Sequence, residues 1–242
     1  MTPLGPQTDE TRCTLCGICA DNCFNDAREI VGREMTLAEV MRSIRNDVTF
    51  FDESHGGVTF SGGEPLLQPE FLLALLKQCR LEDIHTALDT SGYASWQAFE
   101  RVLPHVNLFL YDLKTMDDTL HRKYTGVSNR LILQNLQRLS AAGAAVILRL
   151  PLVPGVNDHP ADLVAAAQLA AMLPSLQHVD LLPYHSSAAG KYEGLKLAYR
   201  LPGVPSPTAA QMESAAKIFR SYGLTVHIAT LASPAADADR PN

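Results

Sequence analysis

The sequence lacks the features that mark membrane, secreted and nucleic-acid-binding proteins. It contains no run of about 20 apolar residues that could span a bilayer, no signal peptide at its start, and no block of lysine or arginine. Acidic residues outnumber basic ones, 26 to 20, and the formal net charge is −6. We therefore expect a cytoplasmic protein whose main partner is neither nucleic acid nor a membrane.

Cysteine is scarce as well, and four of the five cysteines lie close together near the start of the chain. Cys13, Cys16, Cys19 and Cys23 have the short spacing of thiolates that wrap a 4Fe–4S cluster. A disulfide knot would need an oxidising compartment, and zinc normally takes two cysteine pairs separated by a longer loop. We predict an iron–sulfur cluster, although in two-cluster ferredoxins the fourth cysteine of such a run binds the other cluster. Cys79 is interpreted as a small buried hydrophobic residue on a helix.

The remainder of the chain alternates short apolar strands with amphipathic helices. Strands are predicted at 58–60, 84–88, 106–111, 145–150, 179–182 and 224–228. Near-continuous apolar strands that are each followed by a helix indicate a parallel sheet covered by helices. Five to six such units are too few for a full eight-stranded barrel. The pattern therefore predicts an α/β protein, either a partial barrel or an open doubly wound sheet.

Charged and glycine residues follow several of these strands at their carboxyl ends. In a parallel sheet these ends open on one edge, where ligands bind. Two glycines after the first strand allow a sharp turn and the close approach of a ligand to the backbone. Three carboxylates on one edge need a cation, an ammonium group or hydroxyl donors to keep them ionised. The candidate ligand-site residues are Gly62, Gly63, Glu64, Asp89, Asp112, Lys114, Arg149 and His185.

Seven motifs in this order resemble the glycyl-radical-enzyme activating enzymes of the radical S-adenosylmethionine (SAM) superfamily. They are SGGEPLLQ at 61–68, DTSGY at 89–93, DLK at 112–114, HRKYTGV at 121–127, RLP at 149–151, PGVN at 154–157 and LPYH at 182–185. The cysteine run resembles the ferredoxin-like insert of many such enzymes. The resemblance covers roughly residues 12–228.

The resemblance implies a fold, a reaction and a role for each candidate residue. The fold would be a partial (β/α)6 TIM-like barrel lacking its first strand, with a small N-terminal ferredoxin-like iron–sulfur segment. Residues 1–34 would be the remnant of the insert, 35–230 the barrel, and 231–242 a disordered tail. A low-potential donor such as flavodoxin or ferredoxin would reduce a cluster, SAM would be cleaved, and a glycine of a partner glycyl radical enzyme would lose a hydrogen atom.

The implied residue roles all concern SAM or its neighbouring cation. Gly62, Gly63 and Glu64 would hold the amino group of the methionine moiety. Asp89, Thr90 and Asp112 match positions tied to a monovalent cation. Lys114 and His185 match SAM contacts, and Arg149 would lie near the ligand.

One motif of the family is missing from this chain. The family holds its catalytic cluster with C-x-x-x-C-x-x-C, and the 242 residues contain no such spacing. We therefore expect an N-terminally incomplete activating enzyme with no catalytic cluster ligands, inactive alone. The alternatives are a degenerate single-cluster binding or electron-transfer protein and, less favoured, a zinc-bound structural knuckle. His55 also departs from the family, which has glycine there.

Overall fold

The computed structural model describes residues 8–9, 11–25, 27–28, 30, 32–185, 192 and 198–229. The predicted tail at 231–242 lies outside the described residues, and the prediction for 1–34 falls on them only in part. The proposed division of the chain at residues 34 and 230 stays a prediction. Within the described residues, no helix has both the length and the apolar character needed to cross a membrane.

Three helices precede the sheet. They are α1 (Ile18–Asp21), α2 (Leu37–Asn46) and α3 (Val48–Ser54). Thr36 and Glu39 form a reciprocal capping box at the start of α2, as their spacing predicts. Met41 and Ile44 of α2 are buried in a small cluster that also contains Cys79, so α2 is held against the helix that follows the first strand.

Six parallel strands form one sheet in the order β1 to β6, with β1 and β6 at its edges. Their bounds are β1 Gly57–Phe60, β2 His85–Thr90, β3 Leu108–Asp112, β4 Val146–Leu152, β5 Leu176–Pro183 and β6 Val226–Ile228. All six lie where the apolar runs predict strands, with ends that differ by at most three residues. The predicted parallel α/β sheet is thus confirmed.

Helices connect successive strands. They are α4 (Pro69–Leu81), α5 (Trp96–Val102), α6 (Asp118–Thr125), α7 (Arg130–Ala141), α8 (Pro160–Ala171) and α9 (Ala209–Ser221), with short 3-10 helices at Pro65–Leu67 and Leu103–His105. Ser95 caps α5, and Thr208 forms a capping box with Gln211 at the start of α9. These side chains satisfy backbone N–H groups that a helix start otherwise leaves without partners.

The two faces of the sheet differ in burial. Alternate residues of a strand point to opposite faces, and on β5 Val179 and Leu181 are fully buried in the main core. His178 and Asp180, which alternate with them, keep side-chain exposures of 19% and 25%. We call the face that carries His178 and Asp180 the open face. On β4 the same face carries Arg149, the register partner of Asp180. Polar side chains on the open face are therefore within reach of a ligand.

The turn between α3 and β1 contains a strained residue. His55 ends α3 with φ 52° and ψ 32°, the left-handed conformation that glycine adopts at helix C-termini. A side chain in this region costs about 1–2 kcal/mol, and glycine costs about 0.5–1 kcal/mol in unfolded-chain entropy. We therefore expect His55→Gly to raise the free energy of unfolding by about 0.5–1 kcal/mol, measured by urea denaturation. His55→Ala is the matched control, because it removes the imidazole but keeps the Cβ atom. An equal gain from alanine would contradict the backbone explanation.

Candidate functional site

An ion-pair network joins the carboxyl ends of β2 and β3 to the middle of β4. The guanidinium of Arg149 contacts Asp89, and its Nε and Nη2 atoms lie 2.9 and 2.8 Å from Oδ1 of Asp112. Lys114 Nζ donates to Oδ2 of Asp112 at 2.6 Å, and Ser61 Oγ donates to Oδ2 of Asp89 at 3.1 Å. The structure therefore brings together four of the predicted charged residues in one connected group.

The network is half-buried, which strengthens its electrostatics. The side chains of Asp89, Asp112 and Arg149 are 22%, 17% and 19% exposed, while Lys114 is 41% exposed. Burial alone would lower the pKa of Arg149, but the ion pairs with Asp112 and Asp89 outweigh that effect and raise it. Arg149 is thus a permanent cation between two carboxylates.

Glu64 lies at the next strand end and has a different set of partners. Its Oε1 accepts from the hydroxyl of Thr90 at 2.8 Å and from the backbone of Leu66 at 3.3 Å. Its Oε2 accepts from the backbone and the hydroxyl of Ser91 at 2.9 and 2.6 Å. Four neutral donors therefore hold this carboxylate, and among the described residues no lysine or arginine pairs with it. Glu64 also ties the turn after β1 to the end of β2.

Gly62 and Gly63 leave open space beside this carboxylate. Gly62 has φ 135°, which side-chain-bearing residues rarely adopt. A Cβ atom built on either glycine would meet no atom of the protein within 4 Å, and both residues are exposed. Packing within the chain therefore does not require a glycine at 63. The open space beside both glycines fits the predicted approach of a ligand to this backbone.

The loop that carries Lys114 is fixed by residues that the sequence did not single out for a site role. Nearly buried Asp162 accepts at Oδ1 from the Thr115 hydroxyl and from the backbone of Met116 and Asp117, at 2.9–3.0 Å. Asn157 donates to the Lys114 carbonyl at 2.6 Å. Asn157 belongs to the PGVN motif, so its spacing was a usable signal. Asp162 lies in the first turn of α8 and belongs to none of the seven motifs, so the sequence gave no signal for it.

The loop after β2 has a similar support. Asn135 of α7 is fully buried and donates to the carbonyls of Gly92 and Ala94 at 2.9 Å each. Thr90 Oγ1 accepts from the backbone of Gly92 at 3.0 Å while donating to Glu64. Asn135 therefore holds the loop whose first residues bind Glu64, as a positioning residue for the predicted site.

His185 is not brought into the network. It lies two residues beyond β5 and is exposed. Among the described residues, no hydrogen bond or ion pair connects it to Asp112, Arg149 or Lys114. Its predicted contact with a ligand stays a prediction. Two other histidines have positions that do not involve the site. His121 is buried and bonds through Nδ1 to the Val127 carbonyl, which is a structural role. His55 is the residue at which α3 ends.

The four N-terminal cysteines are free thiols at the surface or half-buried. The backbone of Ala27 donates to the Cys23 sulfur at 3.2 Å. A backbone hydrogen bond from Ile18, helped by the Thr14 side chain, lowers the pKa of the Cys16 thiol. Such N–H groups directed at sulfur favour the thiolate that binds iron, so the donor set fits a cluster. In the described coordinates no three of these sulfurs lie within 4.8 Å of one another.

Cys79 behaves differently from this group. It is fully buried on α4, and burial raises the pKa of its thiol to about 11. A buried, protonated thiol packs as a small apolar side chain. The interpretation of Cys79 as a core residue is confirmed.

Comparison with known proteins assigns this chain to a class. The family model of the radical SAM superfamily matches residues 11–167, and the chain belongs to that superfamily. Proteins of this superfamily use a 4Fe–4S cluster and SAM. The predicted open, partial-barrel α/β fold is therefore confirmed together with the two predicted cofactors.

Within the superfamily, the relatives are activating enzymes of glycyl radical enzymes. The isethionate sulfite-lyase activating enzyme of Nitratidesulfovibrio vulgaris is 43% identical over 190 residues, which cover 77% of this chain and 61% of that protein. The trans-4-hydroxy-L-proline dehydratase activating enzyme of Clostridioides difficile is 38% identical over 206 residues, covering 84% and 68%. The predicted resemblance to this group is confirmed, and the chain spans about 60–70% of these relatives' lengths.

A solved structure gives the same assignment. A crystallised domain of the pyruvate-formate lyase-activating enzyme from Bacteroides vulgatus is 36% identical to this chain, with a TM-score of 0.62. The match covers 72% of this chain and 99% of that domain.

Proposed function

We propose that this chain is the SAM-binding core of an activating enzyme that generates a glycyl radical on a partner enzyme. The observation that carries the proposal is the network of Asp89, Arg149, Asp112 and Lys114, which lies beside Glu64 and the open backbone of Gly62 and Gly63. With Glu64 the group holds three carboxylates and two cations. One negative charge is left over, which suits an ammonium group or a monovalent cation.

The proposed residue roles are those that the family resemblance implies, and this charge pattern is compatible with them. Gly62, Gly63 and Glu64 would receive the amino group of SAM's methionine moiety. An ionised carboxylate offers about four lone-pair positions, and Glu64 already accepts four hydrogen bonds. The ammonium group would therefore share an oxygen with, or replace, the long 3.3 Å bond from Leu66.

The other side chains would bind the cation and the opposite end of the amino acid. Asp89, Thr90 and Asp112 would take the monovalent cation. Lys114 and Arg149 offer positive charge to a carboxylate, and exposed His185 would complete the SAM contacts.

The remaining parts of the reaction involve groups outside the sheet. Cys13, Cys16, Cys19 and Cys23 would hold a 4Fe–4S cluster that accepts an electron from a low-potential donor such as flavodoxin or ferredoxin. The electron for SAM cleavage would come from a separate catalytic cluster, whose C-x-x-x-C-x-x-C ligands this sequence does not contain. The partner would be a glycyl radical enzyme, and the setting would be the cytoplasm.

We expect the 242-residue chain to bind SAM without cleaving it, because its sequence contains no C-x-x-x-C-x-x-C. Isothermal titration calorimetry on the anaerobically reconstituted chain should show saturable SAM binding, and dithionite should release no 5′-deoxyadenosine. Asp112→Asn should weaken SAM binding at least about ten-fold, the equivalent of about 1.4 kcal/mol. Glu213→Gln is the matched control, since this carboxylate pairs with Arg220 on the surface of α9.

Three results would contradict parts of this proposal. Cleavage of SAM by the purified chain would show that the chain is not inactive alone. A folded chain that holds a cluster but does not bind SAM would favour the degenerate electron-transfer alternative. Metal analysis of the same sample tests the cysteines, because zinc without iron or sulfide would support the structural knuckle.

A further inference from the structure

A second polar cluster lies on the open face, at the opposite edge of the sheet from Glu64. His178 and Asp180 stand two residues apart on β5, and His227 on β6 is the register partner of Asp180. Strand alternation therefore places all three side chains on one face. The Nε2 atom of His178 and the Nδ1 atom of His227 lie 3.1 and 3.6 Å from the same carboxylate oxygen, Oδ1 of Asp180.

The geometry of these atoms fits a metal ion. One donor atom from each residue lies within 4.8 Å of the other two, and this is the group of three that meets that limit among the described residues. Zinc binds imidazole nitrogen and carboxylate oxygen at about 2.0–2.2 Å with tetrahedral angles. Those values put neighbouring donor atoms about 3.3–3.6 Å apart, close to the two distances from Asp180.

The charges also favour a cation. Asp180 is the register partner of Arg149. The Arg149 guanidinium, however, pairs with Asp89 on β2 and Asp112 on β3, on the side of β4 away from β5. Within the described part of the chain, the ion-pair partners of Asp180 are the two histidines alone. This half-buried carboxylate therefore faces two imidazoles, whose ring centres lie 4.2 Å apart, and no lysine or arginine of the described residues pairs with it.

We propose that His178, Asp180 and His227 form a binding site for a divalent transition metal of the Zn²⁺ class. Two imidazoles and one carboxylate supply three ligands and leave the fourth position open. The His227 side chain is 60% exposed, so the ion can enter from the solvent side. The open position would be filled by water or by an anionic oxygen of a ligand on the open face. These residues share no side chain with the proposed SAM site, and the metal site does not depend on it.

The test removes the four N-terminal cysteines first, because thiolates are also zinc ligands. The 242-residue chain with Cys13, Cys16, Cys19 and Cys23 all replaced by serine is stripped of metal and titrated with Zn²⁺ by calorimetry. One equivalent should bind. Co²⁺ should give visible d–d bands without an intense thiolate charge-transfer band.

Two variants and one control identify the ligands. Asp180→Asn and His227→Ala in the same background should each weaken Zn²⁺ binding by more than about 100-fold, since loss of even an outer-shell partner costs about 10- to 100-fold. His227 is the most exposed of the three ligands, so its replacement carries the least risk to folding. His85→Ala should leave the affinity unchanged, because His85 is an exposed histidine on β2.

The proposal would be overturned by a folded serine variant that binds no Zn²⁺, or by binding that both ligand variants leave intact. In the first case the three residues would form only a hydrogen-bonded polar cluster. Circular dichroism of each variant confirms that the chain is folded.

Discussion

Replacing Gly92 with alanine is expected to lower the free energy of unfolding by about 3 kcal/mol or more. Gly92 has φ 77°, and an added Cβ would lie 1.9 Å from Oη and 2.2 Å from Cζ of Tyr111. Tyr111 is fully buried, and its hydroxyl donates to the Ile132 carbonyl at 2.6 Å. The substitution therefore adds left-handed strain of about 1–2 kcal/mol, overpacking of about 1–3 kcal/mol, and the risk of an unpaired buried hydroxyl.

Urea denaturation followed by circular dichroism measures this loss. Gly126→Ala is the matched control, since Gly126 has φ 90° but a Cβ there would meet nothing within 4 Å. It should cost only the backbone strain less the entropy that glycine loses on folding, a net loss of about 0.5–1 kcal/mol. Tyr111→Phe should not rescue Gly92→Ala, because the ring carbon Cζ remains in the way. Equal losses at Gly92 and Gly126 would show that the tyrosine contact is unimportant.

The same position connects stability to the site. Gly92 lies between Ser91, which binds Glu64, and Ala94, whose carbonyl bonds to buried Asn135. A shift of this loop would move two of the four donors that hold Glu64. Folded Gly92→Ala protein should therefore also bind SAM more weakly than the Gly126→Ala control.

Much of this architecture is readable from local sequence pattern. Apolar runs and helix-capping residues depend on neighbours a few positions away, so the six strands and the capping residues Thr36, Ser95 and Thr208 were predictable. The meeting of Asp89, Asp112 and Arg149 followed from one rule, that parallel strands end on the same edge.

Other features depend on contacts between distant residues. Asp162 binds a loop 45–47 residues earlier in the chain, and Asn135 binds one 41–43 residues earlier. No spacing rule links such partners. The sequence pattern does not reveal His178 and Asp180 as a pair, because it predicts a near-continuously apolar strand at 179–182 that excludes His178. In the structure β5 begins at Leu176, and its buried and half-exposed positions alternate around these residues. The grouping with His227 requires the register of β5 and β6.

Arg149→Met is expected to have the largest combined effect on stability and binding. The arginine is 19% exposed and lies between Asp89 and Asp112. Removing one partner of a buried ion pair costs about 3–5 kcal/mol because it leaves a buried charge uncompensated. Partial exposure and Lys114, which still pairs with Asp112, reduce the expected loss to about 2–3 kcal/mol. SAM binding should fall at least about ten-fold, since a positive group near the ligand is lost.

A control variant and a compensating triple variant test whether charge explains the expected loss. Arg101→Met removes an arginine that pairs with Glu70 but is 43% exposed, so it should destabilise the chain much less than Arg149→Met does. Adding Asp89→Asn and Asp112→Asn to Arg149→Met removes the uncompensated carboxylates and should recover at least about 1 kcal/mol of stability. SAM binding should not recover with it, because the proposed cation and ligand contacts are then gone. If the triple variant is no more stable than Arg149→Met, the arginine stabilises the sheet by packing and not by neutralising the two carboxylates.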